Sequence, residues 1–342
     1  MSMRLVFAAL LITALTGTAH ADGISVTDEN FAVAETDRYI SEHTSEHPVN
    51  AIRHSRAPSG PNNQFVITEN KDVLYSHSVV DTAGGATITN PEWNYFSVIQ
   101  IIDEAHYTLD VLYPGESVTL TPDDLTQGRY VFLNMRTGLQ STDGRGLSAA
   151  HAHQDAITIE AASAEPYVAK GFDTDTLDAV RTALIARAGE ADKPEKFFGR
   201  PADVDPEMFL IATAKGWGGL PYEDAVYIST IVPKGEAANG ACSQMTLPRP
   251  PLKYGEGAFF SVTTYSADSW IVEENFALND RAAVANADGS VTFRYNCDGE
   301  PNNIDVQPGW TQVIRLYQPE NAEAISEYVE RTASEVKIVT MK

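Results

Sequence analysis

The chain has 342 residues and carries 24 Lys+Arg against 47 Asp+Glu, a formal net charge of −23. Its 43% hydrophobic and 9% aromatic content supplies material for packed cores and excludes wholesale disorder. The acidity excludes a nucleic-acid binder and an electrostatic dock on anionic lipid, and it serves solubility.

The length predicts two folded units and a connector. Residues 1–21 have the layout of a secretory signal: Arg4 as the positive end, an apolar run from Leu5 to Leu15, and Ala19-His20-Ala21 as the cleavage site. The run is too short to span a bilayer, which takes about 20 residues, and no later segment approaches that length. A soluble periplasmic or secreted protein is expected, cleaved near Ala21. Residues 28–47 read as a polar-rich helix, and 50–63 as a turn-rich passage. Period-two alternation then predicts strands over 65–68, 73–80, 95–102, 106–112, 117–120, 129–135 and 156–160. Helices are expected after the caps Asp173 or Thr174 and Asp205-Pro206, ending near Gly189 and Gly216. Strands return over 225–232, 241–247, 258–265, 270–272, 291–296 and 311–317, and the tail from Glu320 is amphipathic. This pattern predicts a mainly β fold of two β-sandwiches joined by helices rather than a parallel α/β sheet.

Only two cysteines are present, Cys242 and Cys297. An oxidising compartment favours a disulfide between them, but two separate buried thiols fit the sequence equally well. No CxxC pair exists, which excludes a zinc ribbon or a thioredoxin-type motif.

Standard catalytic signatures are missing: there is no GxSxG, HExxH, Walker or EF-hand pattern. The glycine-rich stretches 144–146 and 216–219 read as turns. His43 and His47, four apart beside Glu42 and Glu46, read as a solvated helix face. His151 and His153 would share a face on a strand and diverge on a helix, and the latter fits Leu147–Asp155 at least as well. No metal and no cofactor is expected. The segment Asn70-Lys71-Asp72-Val73-Leu74-Tyr75-Ser76-His77-Ser78 is the most distinctive in the chain. Alternation points Asp72, Leu74, Ser76 and Ser78 one way and Val73, Tyr75 and His77 the other. A carboxylate, an amide and a phenol at the mouth of a sandwich suit polar-ligand binding or acid–base work, although turn and core roles account for them too.

The runs 49–56 and 70–76, with Arg136-Thr137, 147–155 and 161–166, resemble the bacterial domain-of-unknown-function family numbered 1254. Gly216-Trp217-Gly218-Gly219-Leu220-Pro221, 259–265, 286–291 and Arg315-Leu316-Tyr317 are similar to its partner family, numbered 1214. The resemblance implies an immunoglobulin-like β-sandwich over 24–165, a helical linker over 166–215, a jelly-roll-like β-sandwich over 216–319 and a helical tail over 320–342. It implies no activity. This chain departs from the second family where it has Asn303-Ile304-Asp305-Val306, a difference that bears on ligand preference if that segment lines a pocket in relatives.

Two functions fit. One is binding of a small polar or carbohydrate-like ligand between the domains, with Asn70, Asp72, Tyr75, Arg136, Asp155 and Trp217 as binding candidates. The aromatics Tyr222 and Trp310 also suit sugar rings. The other is an esterase- or amidase-like hydrolase drawing on Asp72, Tyr75, His77 and His54, with Arg136 and Asp155 expected as an ion pair. The oligomeric state is not legible.

Overall fold

The computed structural model describes residues 23–64, 67–139, 144–191 and 193–341. The expected signal segment at 1–21 lies outside the described residues. In chain order, α1 (Phe31–Glu46) leads into β1 (Arg53–His54), β2 (Val73–Asp81), β3 (Ala86–Thr89) and β4 (Ser97–Asp103). Then come β5 (Thr108–Leu112), β6 (Ser117–Leu120), β7 (Tyr130–Gly138), α2 (Gly144–Asp155) and β8 (Thr158–Ala161). The middle holds α3 (Thr174–Ala186) and α4 (Pro206–Gly216). After it run β9 (Ala225–Ile228), β10 (Ser243–Leu247), β11 (Phe259–Tyr265), β12 (Ala277–Asn279) and β13 (Val291–Tyr295). The chain closes with β14 (Asn303–Ile304), β15 (Thr311–Tyr317), α5 (Ala322–Glu335) and β16 (Val339–Thr340).

These strands form four sheets, so the fold is mainly β. The N-terminal strands make a five-stranded antiparallel sheet, β1-β2-β7-β4-β5, and a three-stranded one, β6-β3-β8. One apolar cluster joins them, with Val80, Ile99 and Leu133 from the larger sheet and Ile88 and Leu120 from the smaller. The C-terminal strands make an antiparallel sheet, β12-β11-β15-β9, and a mixed sheet, β14-β13-β10-β16, in which β13 and β14 run parallel. Their shared cluster includes Val262, Ile314, Met245 and Phe293, and Ile325 and Tyr328 of α5 pack into it. Two alternating strand faces bury their apolar members in each case, which is what period two requires.

The helices start where the caps predict. Asp173 accepts from Thr176 N at 2.8 Å, and Asp205 accepts from Glu207 N at 3.0 Å and Met208 N at 3.2 Å, with Pro206 at the first helical position. Three expectations fail. Ile67 and Thr68 lie in a turn, and the rest of that expected strand, residues 65–66, lies outside the described residues. Residues 270–272 are not a strand either, because the Gln64 side chain takes the backbone groups of Ile271, accepting from its N and donating to its O, each at 2.8 Å. The glycines at 144–146 open helix α2 rather than forming a turn.

Cys242 and Cys297 form a disulfide, with their Cα atoms 4.8 Å apart. They adjoin the register pair Ser243–Tyr295, so the bond ties the ends of neighbouring strands β10 and β13. It closes a loop of 55 residues, which the chain-entropy model makes worth about 4 kcal/mol. Reduction, or a Cys242→Ser/Cys297→Ser double variant, is expected to lower stability by an amount of that order in urea unfolding. An unchanged midpoint would show that the covalent tie contributes nothing.

Candidate functional site

The five-stranded sheet turns one face toward the β12-β11-β15-β9 sheet, and hydrogen bonds cross between the two units. Register places Tyr75 opposite Arg136 and His77 opposite Asn134, so all four share that face. The Asn70 amide donates to the Tyr317 hydroxyl at 2.5 Å, and the Tyr265 hydroxyl donates to the Glu69 carbonyl at 2.7 Å. The Asn279 amide donates to Asp72 Oδ1 at 2.9 Å. Arg136 donates to Gln100 Oε1 at 3.0 Å and to the Gly218 carbonyl at 2.7 Å. Gly218 has φ +75°, and a Cβ there would stand 2.8 Å from Asn134 Nδ2, so the turn after α4 reaches the sheet only as glycine.

Several candidates therefore meet at this seam, Asn70, Asp72 and Arg136 as buried structural groups and Tyr75 and His77 half-buried beside them. Asn70, Asp72 and Arg136 are all under 8% exposed. Burial raises the Tyr75 phenol above its ordinary value, and burial lowers His77 to about 3, with His43, Arg53 and Arg136 adding to the shift. The expected Arg136–Asp155 ion pair does not form. Asp155 ends α2 at the surface, paired with Arg56, and that bond holds its carboxyl below the usual range. His54 Nδ1 lies 2.8 Å from Ser76 Oγ, which the Gln154 amide also reaches at 2.9 Å, and Ser76 is fully buried.

Trp217 caps α4 rather than facing a cleft. Its ring stacks on Tyr39 at 4.1 Å and on His106 at 5.2 Å, and its indole N–H donates to Thr36 Oγ1 at 3.1 Å. His106 Nε2 accepts from Gly218 N at 2.9 Å, which leaves Nδ1 to donate to Thr213, and burial lowers this histidine to about 3. His43 is likewise not on a solvated face: it packs edge-on against Phe132 at 5.9 Å, and burial lowers it to about 4. His151 and His153 diverge on α2, the first toward the Arg56 carbonyl at 2.7 Å and the second toward Ser97 at 2.9 Å. Among the described residues no three His, Cys, Asp or Glu side chains are grouped to hold a metal. Nor is any described helix long and apolar enough to cross a membrane.

A solvent-reachable feature lies along the edge of the seam. A groove of about 420 Å³ is walled by β5 and the turn after it, by the connector before α4, and by the segment leading into β9. Thr108, Asp110 and Tyr113 come from the first wall, Arg200 and Asp203 from the second, and Glu223 and Asp224 from the third, with Lys253 beside them. At its base the Tyr113 hydroxyl donates to Asp224 Oδ1 at 2.6 Å, joining the two units. Burial pushes Asp224 up to about 6, against the opposing pull of Tyr113 and the cations Lys253 and Arg136. None of these residues stands out in the sequence. Tyr113 and Asp224 are 111 positions apart, and only the sheet topology brings them together.

No family model and no curated relative matches the chain. Among solved structures, the VPA0106 protein from Vibrio parahaemolyticus is similar with a TM-score of 0.68 at 16% identity, over 92% of this chain and 98% of that one. At that identity the likeness is one of fold. An uncharacterized protein from Burkholderia cenocepacia gives a TM-score of 0.48 at 14% identity, over 86% of each chain.

A titration test follows from Asp224. Its folded pKa of about 6 lies above the ordinary 3.8, so the folded state binds the proton more tightly, and its contribution to stability falls as pH rises through that window. The buried histidines His43, His77 and His106 act oppositely: their depressed values cost stability as pH falls below 6.5. Asp224→Asn is therefore expected to gain stability relative to wild type as pH rises from about 4 to above 6, with little change elsewhere. Denaturant midpoints at pH 4, 5, 6 and 7 measure this, and a pH-independent difference would contradict the assignment.

Proposed function

We propose that this is an exported protein that binds a small polar, carbohydrate-like ligand in the groove between its two β units. The observation that carries the reading is the groove itself: both units wall it, and a phenol–carboxyl pair, half-buried Tyr113 and buried Asp224, lines it. Pockets of this size with a few convergent polar groups suit small ligands. Carboxylates accept from hydroxyls, and Arg200 and Lys253 supply donors to an acidic substituent. We further propose that the units are an immunoglobulin-like and a jelly-roll-like β-sandwich of the 1254 and 1214 type. Two face-to-face sheet pairs and helices α3 and α4 between them support that reading. Export is supported by the signal-like segment at 1–21 and by the disulfide, which an oxidising compartment maintains.

A hydrolytic reading has one supporting observation. A carboxyl held near 6 at the base of a groove is suited to general acid–base work at neutral pH. Asp72, Tyr75, His77, His54, Arg136 and Asp155 do not converge: Asp155 pairs with Arg56 at the surface, and His54 bonds Ser76 on the face of β2 opposite Tyr75 and His77, so Asp224 would have to carry that role.

Thermal-shift screening of the mature protein against sugars, sugar acids, polyols and amino acids tests the binding reading. A ligand at one hundred times its Kd stabilises by about 2.7 kcal/mol. The shift is expected to vanish or shrink strongly in Asp224→Asn and in Tyr113→Phe. No shift with any class would sink the proposal. Turnover of an ester or amide panel that is lost in Asp224→Asn would establish the hydrolytic reading instead.

A further inference from the structure

The sheet face that meets the N-terminal unit carries a polar row set by strand register. Asn279, Ser261, Arg315 and Tyr227 are successive cross-strand partners on β12, β11, β15 and β9. Side chains directly opposite on antiparallel strands share one face, with Cβ atoms about 5 Å apart. Thr263 and Tyr265 continue that face along β11 by alternation. The middle of the row is shut away from solvent: Ser261 and Thr263 are fully buried and Arg315 is 5% exposed.

Its hydrogen bonding is incomplete at one point. Arg315 Nη2 donates to the Thr68 carbonyl at 2.5 Å, but Nη1 finds no acceptor, and neither the Ser261 nor the Thr263 hydroxyl has a partner. Arg315 and Thr263 both lie beside the Tyr265 phenol, which burial pushes up to about 12. Buried guanidinium groups ordinarily pair with a carboxylate, since an uncompensated buried ion costs several kcal/mol. Among the described residues Arg315 has no ion pair. The acids nearest in the chain and the sheet are engaged elsewhere: Glu69 Oε2 takes the Ser59 hydroxyl at 2.5 Å, and Asp72 Oδ1 takes the Asn279 amide. Across the seam Arg136 also has only neutral partners, and Tyr75 lies in the field of both arginines. Two buried cations thus act on Tyr75, together with the Glu69 carboxylate.

We propose that the seam holds one small monovalent anion, a halide or the carboxylate of a small acid, which accepts from Arg315 Nη1 and from the Ser261 and Thr263 hydroxyls. A guanidinium has donors only, and hydroxyls can turn their protons toward an acceptor, so the three groups together make an anion cradle. A water molecule would take up those donors but leave the Arg315 guanidinium without a direct ionic partner. The site is distinct from the groove, shares no residue with its lining, and acts by fastening the two β units together.

Thermal unfolding of the full mature chain at constant ionic strength tests this, comparing sodium chloride, bromide and formate with bulky sodium isethionate. A saturable rise in Tm is expected with the small anions and none with isethionate. Halide against formate distinguishes a spherical ion from a carboxylate. Bromide soaked into crystals should give an anomalous peak beside Arg315. Arg315→Met is expected to abolish the dependence, and Ser261→Ala to weaken the anion about tenfold, the loss of one charge-assisted hydrogen bond. Should Arg315→Met fail to fold, Ser261→Ala/Thr263→Ala decides the point by the same readout. Equal Tm in all four salts, an unaltered anion response in these variants, or a bromide peak only elsewhere would overturn the proposal.

Discussion

The architecture depends on a set of polar groups that are buried between two β units and satisfy one another across the boundary. Asn70 with Tyr317, Tyr265 with the Glu69 carbonyl and Asp72 with Asn279 each take one partner from each side. Such a bond is worth only about 1 kcal/mol net, but stranding a buried donor or acceptor costs about 1–3 kcal/mol. Small sliding of one unit on the other would break several of these bonds at once without providing water in exchange. Shape matching alone would tolerate such movement, whereas a hydrogen-bonded seam does not. Apolar contacts reinforce it, with Phe96 of the N-terminal unit set against Phe259 and Tyr317 of the C-terminal unit.

That constraint explains where a ligand can and cannot bind. At the centre of the seam Arg136 is buried and spends its donors on Gln100 and Gly218, and Tyr75 and His77, the other side chains most suggestive of chemistry, are half-buried between the two sheets. The edge of the seam stays open, and Tyr113 and Asp224 reach across it. A rigid seam holds those two groups at a set separation, which is what a site needs if it is to be ready before its ligand arrives. Helix α4 and Trp217 contribute by delivering Gly218 to both Arg136 and His106.

Elements with room to display a period were legible in the sequence. Strands β2, β7, β11 and β15 each run seven to nine residues, and α3 and α4 announce themselves by caps. Strands β1, β12 and β14 have two or three residues each, too few for alternation to register, and they exist because a neighbour pairs with them. The site was less legible for a related reason. Alternation correctly put Tyr75 and His77 on one face of β2, but a sequence does not say what covers that face. The covering sheet turns an expected mouth into a half-buried seam. His43 shows the same limit: its polar neighbours suggest solvent, while Phe132 of a distant strand buries it. The disulfide stood open between two readings until pairing of β10 with β13 brought its cysteines together.

Differential scanning calorimetry of the protein addresses the seam most directly. If buried polar groups fasten the two β units together, wild type melts in one transition whose calorimetric and van't Hoff enthalpies agree, and a variant combining Asn70→Leu with Tyr317→Phe splits it into two. Two separate transitions in wild type, or an unsplit single transition in the variant at an unchanged temperature, would contradict the account.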